Sequence, residues 1–403
     1  MYSTLIVLAG ISVGAWVYLT LFHGRFWWAD QRLDEAGDAD NRANPRPQVV
    51  AVIPARNEED VIERAVVSLL DQDYPGRFSI VVVDDRSDDA TGEMVRRAAA
   101  RHEHGGRLRI VRAKDMPMGW VGKMWAVQTG VAMASQLAPE AEYLLLTDAD
   151  VAHDVGNLQR LVTKAEGERL DLVSLMVRLH CESGWERLLI PAFVYFFQKL
   201  YPFPRVNNPA SATSGAAGGC MLVRAEALKR AGGIEAIRSE VIDDCALGKA
   251  LKKGGRVWIG VTDLEESFRP YAGLWDIWNM VARSAYTQLH YSIFILVGTI
   301  AGLLLTYLVP PLLTLGAPFH TNYLAAALAA TAWLLMAITF LPTLRLYRLS
   351  PLRALTLPFA GLLYLCMTVD SARRHWQGTG ASWKGRAGAG NTQAAFGRTK
   401  EEL

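Results

Sequence analysis

The sequence predicts an α/β domain, doubly wound about a central sheet and flanked by membrane-spanning segments. Three observations carry that prediction. Between about 48 and 270, short β-branched runs alternate with stretches of helical spacing, the pattern of helices wound about a sheet. Carboxylates close several of these runs: Asp84-Asp85 after IVVV, and Asp148 and Asp150 around YLLLTDAD. Open α/β sheets bind ligands at the carboxyl ends of their strands. Long uncharged runs lie at both ends of the chain.

The first run, 1–22, carries no charged side chain and is long enough to span a bilayer. It lacks the basic start and small-residue cleavage site of a signal peptide, so a retained anchor over 1–24 is expected. Arg25, Arg32, Arg42 and Arg46 follow it. The positive-inside rule then places the main domain in the cytoplasm, at the inner membrane. A linker is expected over 25–47.

The soluble domain is expected over 48–270. Residues 48–54 (QVVAVIP) read as a buried strand stopped by proline. ARNEED leads into a helix with Val61, Ile62, Ala65, Val66, Leu69 and Leu70 at helical spacing. A second strand covers 78–83, and Ser87 or Asp88 can cap the helix that begins near Thr91. Leu108–Arg112 is the third strand, MPMGWVGK a loop, 124–135 a helix, Tyr143–Thr147 the fourth strand and 170–177 a fifth.

The aromatic stretch 186–203 is broken by Pro191 and flanked by charge. It reads as a helix resting on the bilayer surface, with a buried core helix as the alternative. Residues 273–283, with Trp275 and Trp278, form a second interfacial candidate within 271–289. Membrane helices are expected over 290–370, from apolar runs at 291–315, 323–341 and 352–369. Pro310-Pro311 should kink or end the first of them. The last run is short, and Arg345, Arg348 and Arg353 before it look cytoplasmic. A re-entrant or interfacial segment is therefore favoured over a full crossing. The tail 371–403 is basic and Gly-rich.

Composition narrows the function classes. The net charge is +2 over 403 residues with no long basic run, which argues against a nucleic-acid partner. Cys181, Cys220, Cys245 and Cys366 form no CxxC pair, so neither a zinc ribbon nor a disulfide framework is expected. Small buried apolar roles suit all four.

Asp148-Ala149-Asp150 is the central motif. Two carboxylates one residue apart after a strand can ligate Mg²⁺ or Mn²⁺ that also grips phosphate oxygens. Such an ion stabilises a departing diphosphate as a Lewis acid. A carboxylate of Asp84-Asp85 can bond a ribose or base. Pro54-Ala55-Arg56-Asn57-Glu58 forms a turn suited to a nucleotide. Lys123, at a helix start in GWVGK, would meet a phosphate with the free backbone N–H groups. Trp120 in that flexible loop would offer an aromatic face. Asp243-Asp244 starts a helix, where carboxylates are favoured in any case. A mutually raised pKa would also suit one of them as general base. Arg283 can hold a diphosphate in bidentate fashion. Gly215, Gly218 and Gly219 lack dinucleotide-fingerprint spacing and would let backbone approach a substrate. No Walker A, GxSxG or GxGxxG motif is present.

The ordered series PARNE, VVDDRSDD, GWVGK, TDAD, AGGCMLVR, IDDCALG and NMVAR resembles the large inverting family-2 glycosyltransferases over about 49–283. PAFVYFFQKLYPF followed by AGGC and IDDCAL is similar to the ceramide-glucosyltransferase-like branch, and within it to hopanoid-biosynthesis enzymes. The resemblance implies the nucleotide-sugar-binding GT-A fold, a nucleotide-sugar donor (a UDP-sugar foremost), a divalent metal and a membrane-lipid acceptor. It implies nucleoside contacts from Pro54, Ala55, Glu58 and Asp85, and donor contact from Lys123. Asp148 and Asp150 would address metal and diphosphate, Asp150 as the more direct ligand. Asp244 would be the catalytic base, and Arg283 matches the arginine of the (Q/R)xxRW motif.

Two motifs depart from the pattern. Asp243 replaces the glutamate of the Glu-Asp pair, and Asn279-Met280-Val281-Ala282-Arg283-Ser284 lacks the first Gln/Arg and the final tryptophan. Processive synthases use that tryptophan on a growing polymer, so single transfer to a lipid is favoured over a polysaccharide synthase. A non-catalytic scaffold is disfavoured because Asp148, Asp150 and Asp244 are all retained. The tail segment Trp383-Lys384-Gly385-Arg386 is similar to one in related membrane transferases.

Overall fold

The computed structural model describes residues 2–33 and 46–379, with the backbone of Ser382–Trp383 and Arg386–Ala387. Arg42, most of the expected linker, Lys384 and Gly385 lie outside the described residues. The chain divides into two compact units. One comprises Asp30–His180 and Arg205–Arg269. The other comprises Met1–Ala29, Cys181–Pro204 and Pro270–Gly380.

The first unit is a mixed α/β sheet. Its strands are β1 (Val49–Ala55), β2 (Phe78–Asp84), β3 (Leu108–Arg112), β4 (Tyr143–Thr147), β5 (Val151–Ala152), β6 (Leu172–Arg178), β7 (Cys220–Arg224) and β8 (Val257–Ser267). Their spatial order is β3-β2-β1-β4-β7-β6-β8-β5. The first four strands pair in parallel, as the alternation predicts. β7 runs antiparallel to both β4 and β6, and β5 runs antiparallel to β8, so the sheet is mixed. Every residue of β1 and of β4 is buried. Strands covered on both faces read as continuous apolar runs, which is why these were visible in the sequence.

The helix Gly122–Leu137 packs on this sheet. A Cβ on Gly130 would sit 2.3 Å from Val52 Cγ1 and 3.0 Å from Val83 Cγ2. Only hydrogen fits there, so the helix lies close against β1 and β2. The helix Thr91–Arg101 starts where expected, but its cap differs. Neither Ser87 nor Asp88 caps it; Asp89 Oδ1 accepts the Thr91 N–H at 3.0 Å. Ser87 instead gives its own N–H to Asp84 Oδ1 at 2.8 Å, closing the turn after β2.

The second unit holds four helices long and apolar enough to cross a membrane: Tyr2–Leu21, Ile293–Leu315, Tyr323–Leu346 and Pro351–Trp376. The last spans 26 residues, because the helix continues past Val369 through Arg373 and Arg374. It is not too short for a crossing, contrary to the apolar run alone. Within Ile293–Leu315, one π-helical turn at Leu304–Leu308 precedes Pro310-Pro311. Pro310 has no N–H for the carbonyl four residues back. Trp16 Nε1 donates to that carbonyl, Thr306 O, at 2.8 Å. The expected proline disturbance is present, and a neighbouring helix satisfies the freed group.

The aromatic stretch forms helix Gly184–Leu200, started by a capping box between Ser183 and Glu186. Its apolar face meets the long helices of this unit. Tyr195 Oη and Thr339 Oγ1 are 2.7 Å apart, and Tyr364 Oη donates to Leu189 O at 2.9 Å. Trp278, on helix Leu274–Ala282, donates from Nε1 to Asp370 Oδ2 at 2.8 Å. Cys220 and Cys245 are buried as expected, whereas Cys366 is exposed.

Gly130→Ala tests the close seat of helix Gly122–Leu137. Alanine gains about 1 kcal/mol of helix propensity, while overpacking costs about 1–3 kcal/mol. The expected result is a lower thermal unfolding midpoint. A raised midpoint would mean that Val52 and Val83 move aside freely.

Candidate active site

The ends of β2, β1 and β4 lie side by side, and the loops that follow them carry most of the sequence-identified polar residues. The loops after β1 and β2 interlock. Arg56 Nη1 donates to Asp85 O and Arg86 O, both at 2.7 Å. Asn57 N–H donates to Ser87 Oγ at 3.1 Å, and Asp88 N–H returns to Asn57 Oδ1 at 2.9 Å. Asn57 and Arg86 both have left-handed backbone, at φ 51° and 57°. Such strain in non-glycine residues persists only where surrounding contacts hold it. Asp85 is fully buried beneath these loops, and Asp84 is engaged in the turn it closes. Pro54 and Ala55 form the end of β1.

A buried polar chain supports the turn after β4. Asn157 Nδ2 faces His153 Nδ1 at 3.0 Å, and His153 Nε2 faces Thr147 Oγ1 at 2.9 Å. Thr147 Oγ1 donates to Gly219 O at 2.8 Å. The consistent tautomer carries its proton on Nε2. Burial pushes the His153 pKa down to about 4, so the ring stays neutral.

Lys123 joins the remaining carboxylates. Its Nζ lies 3.0 Å from Asp148 Oδ1 and 3.3 Å from Asp243 Oδ2. Burial alone would lower its pKa, but Asp148, Asp243 and Asp244 outweigh it and hold the ammonium well above its ordinary value. Asp244 accepts the Gly218 N–H at 3.0 Å and the Cys245 N–H at 2.7 Å. It keeps some surface open, yet protein surrounds it closely. Desolvation, then the Asp243 charge, raise its pKa to about 6 against the opposing pull of Lys123 and the two N–H groups. Pro54, Lys123, Asp148, Gly218 and Asp243 line one cleft.

Asp150 points to a second cationic partner. Arg269 Nε and Ser267 Oγ each lie 3.0 Å from Asp150 Oδ2. Arg269 Nη2 also bonds the buried carboxylate of Glu58. Burial opposes the Arg269 charge, but Asp150 and Glu58 raise its pKa further. The pairing of β5 with β8 brings Ser267 opposite Val151, next to Asp150. Neither Ser267 nor Arg269 was singled out from sequence, because nothing local distinguishes them.

Two expectations change. Trp120 does not offer its face to solvent; it is buried and packs edge-on against Trp125, with centroids 5.3 Å apart. Gly218 approaches the Asp244 carboxylate and Gly219 approaches Val177, where a Cβ would lie 2.8 Å away; both close approaches are to protein groups. Arg283 is exposed at the end of helix Leu274–Ala282, in the second unit.

The donor set fits a hard divalent cation in part. Asp148 and Asp150 supply carboxylate oxygens, while no cluster of three or more potential metal-binding side chains occurs among the described residues. Mg²⁺ is commonly held in this way, by one or two carboxylates with phosphate and water completing the shell.

Residues 50–232 match the family model described as Glycosyl transferase family 2. This stretch is similar to family-2 glycosyltransferase domains. The match ends before Asp244 and Arg269. Part of the chain is 31% identical over 103 residues to 4,4'-diaponeurosporenoate glycosyltransferase of Staphylococcus haemolyticus, covering 26% of this chain and 24% of that protein. Another comparison gives 29% identity over 126 residues to dodecaprenyl-phosphate galacturonate synthase of Rhizobium johnstonii, covering 30% and 33%. The chain thus spans about a quarter to a third of the length of these curated relatives. The mannosyltransferase PcManGT from Pyrobaculum calidifontis, solved with GDP-Man and Mn²⁺, superposes with a TM-score of 0.55 at 20% identity. That likeness covers 91% of this chain and 99% of the other, and shows a GT-A-like fold.

The raised pKa of Asp244 has a stability signature. A carboxyl that binds its proton more tightly when folded contributes stability below its unfolded pKa of about 4. That contribution is lost as pH rises through about 6. Between these pH values, wild type is expected to lose thermal stability relative to Asp244→Asn. Parallel pH profiles for the two proteins would refute the shift.

Proposed function

We propose that this chain is a membrane-bound inverting glycosyltransferase that moves one sugar from a nucleotide-sugar donor to a lipid hydroxyl. One observation carries the reading: the Lys123 ammonium bridges Asp148 of the DAD turn and Asp243 beside Asp244. In this reading the ammonium ties the groups that meet the diphosphate to the helix start that carries Asp244.

In this reading Pro54, Ala55, Glu58 and Asp85 bind the nucleoside, with Arg56 fixing the two loops around it. Asp148 and Asp150 hold Mg²⁺ or Mn²⁺, which when bound supplies Lewis-acid stabilisation of the leaving diphosphate. Diphosphate entry draws Lys123 from its carboxylate partners toward phosphate oxygens. Asp244, a carboxylate above pH 6, takes the proton of the attacking hydroxyl. The hydroxyl oxygen bonds the anomeric carbon as the bond to diphosphate breaks on the opposite face. Inversion follows from that geometry.

A lipid acceptor is supported by the four apolar helices and by the names of the two relatives, which specify a carotenoid acid and a prenyl phosphate. The hopanoid assignment and the UDP-sugar preference rest on the sequence resemblance alone. The location at the inner membrane, with the family-2 domain in the cytoplasm, rests on the arginines after the first helix.

Membranes containing the protein, incubated with a panel of nucleotide sugars, are expected to yield a single new glycolipid by mass spectrometry. A ladder of products would favour a processive synthase instead. Asp244→Asn is expected to slow transfer by about 10²–10⁴-fold, while donor binding measured by calorimetry stays within a few-fold. Full turnover in that variant removes Asp244 from the chemistry. For wild type, the rate should fall on the acid side with a midpoint near 6, as Asp244 protonates. Chelation should abolish transfer and Mn²⁺ restore it; turnover that persists in chelator contradicts the role given to Asp148 and Asp150.

A further inference from the structure

A second cleft lies wholly within the apolar unit. It is lined by Tyr18 and Leu19, by Lys199, and by Thr299, Leu303 and Thr306. Its volume is about 330 Å³. The last two turns of helix Tyr2–Leu21 form one wall. A Cβ built on Gly302, which also lines the cleft, would meet no atom within 4 Å, so the groove is open at that point.

Lys199 is out of place in such a groove. A lysine near a helix end ordinarily extends its ammonium to water. Here Nζ instead donates to Tyr307 Oη at 2.9 Å, and that tyrosine is fully buried. The same ammonium lies over the Phe196 ring at 5.2 Å and the Tyr307 ring at 4.7 Å from their centroids. Among the described residues no carboxylate lies within ion-pair distance of it. Tyr307 itself sits in the π-helical turn Leu304–Leu308, a feature common at functional sites. An ionisable group among apolar helices calls for a partner.

We propose that this cleft seats one anionic phospholipid, its phosphate on the Lys199 ammonium and its chains along Leu19 and Leu303. The ammonium names a phosphate, and a lining without a carboxylate names a headgroup that brings no cation of its own. The apolar groove walls name the rest of the molecule. Basic pockets between membrane helices bind anionic headgroups by this chemistry. The proposal requires only that the apolar unit is embedded in a bilayer, and it is independent of the sugar-transfer reading.

Native mass spectrometry of the full chain, released from phosphatidylcholine nanodiscs doped with phosphatidylglycerol, tests it. One retained phosphatidylglycerol is expected, enriched about tenfold over its share of the bilayer, as one charge-assisted hydrogen bond supplies. Lys199→Met should return retention to the bulk ratio, with the thermal midpoint of the α/β unit unchanged. Gly302→Leu, which fills the groove and keeps the charge, should also lose the bound lipid. Absence of enrichment in wild type, or its survival in either variant, overturns the proposal. Retention of hexadecyl phosphate without phosphatidylglycerol also overturns it, since the ligand would then be a phosphate monoester.

Discussion

A single ammonium organises the polar end of the sheet. Asp148 and the Asp243-Asp244 pair come together from distant parts of the chain, and their mutual repulsion would drive them apart. Lys123 lies within 3.3 Å of oxygens of the first two and lowers the cost of the third. Helix Gly122–Leu137 presents that lysine in its first turn, and Gly130 lets the helix lie close against β1 and β2. The charge balance of the site thus depends on a packing detail two turns away. Arg269 plays the corresponding part for Asp150 and Glu58. Each carboxylate of the DAD turn has its own cation, yet with Asp243, Asp244 and Glu58 counted the carboxylates outnumber the two cations.

Rigid support lies beneath this exchangeable layer. The chain from Asn157 through a neutral His153 to Thr147 fixes the turn after β4. The backbone clamp by Arg56 fixes the turns after β1 and β2. Groups that are preorganised in this way do not have to reorient when charge develops, and this is the main source of electrostatic stabilisation in such sites. The apolar unit applies the same economy of polar groups. Trp16 caps the carbonyl freed by Pro310, and Tyr195 and Tyr364 find partners on neighbouring elements.

The legible parts of the sequence were those with local signals. β1 through β4 and β6 appeared as apolar runs because burial on both faces removes alternation. The acidic motifs stood at strand ends and were identifiable there. β5, β7 and β8 were not read as strands: β5 is two residues long, β7 only five, and the second half of β8 (DLEES) is polar. Missing β5 and β8 meant missing Ser267 and Arg269, whose relation to Asp150 exists only through the β5–β8 ladder. Trp120 was misread because a loop tryptophan carries no mark of the neighbour that buries it.

The amino-acid order by itself determined the alternation of strand and helix, the acidic residues at strand ends and the apolar segments, since each depends on periodicity or on chemistry within a few residues. Only the tertiary structure decided the rest. It reversed β7, paired β5 with β8, set Lys123 among three carboxylates and left the Lys199 ammonium beside a buried tyrosine. Those outcomes depend on which distant groups share a low-dielectric space, and charge–charge energies there follow distance through space, not separation along the chain.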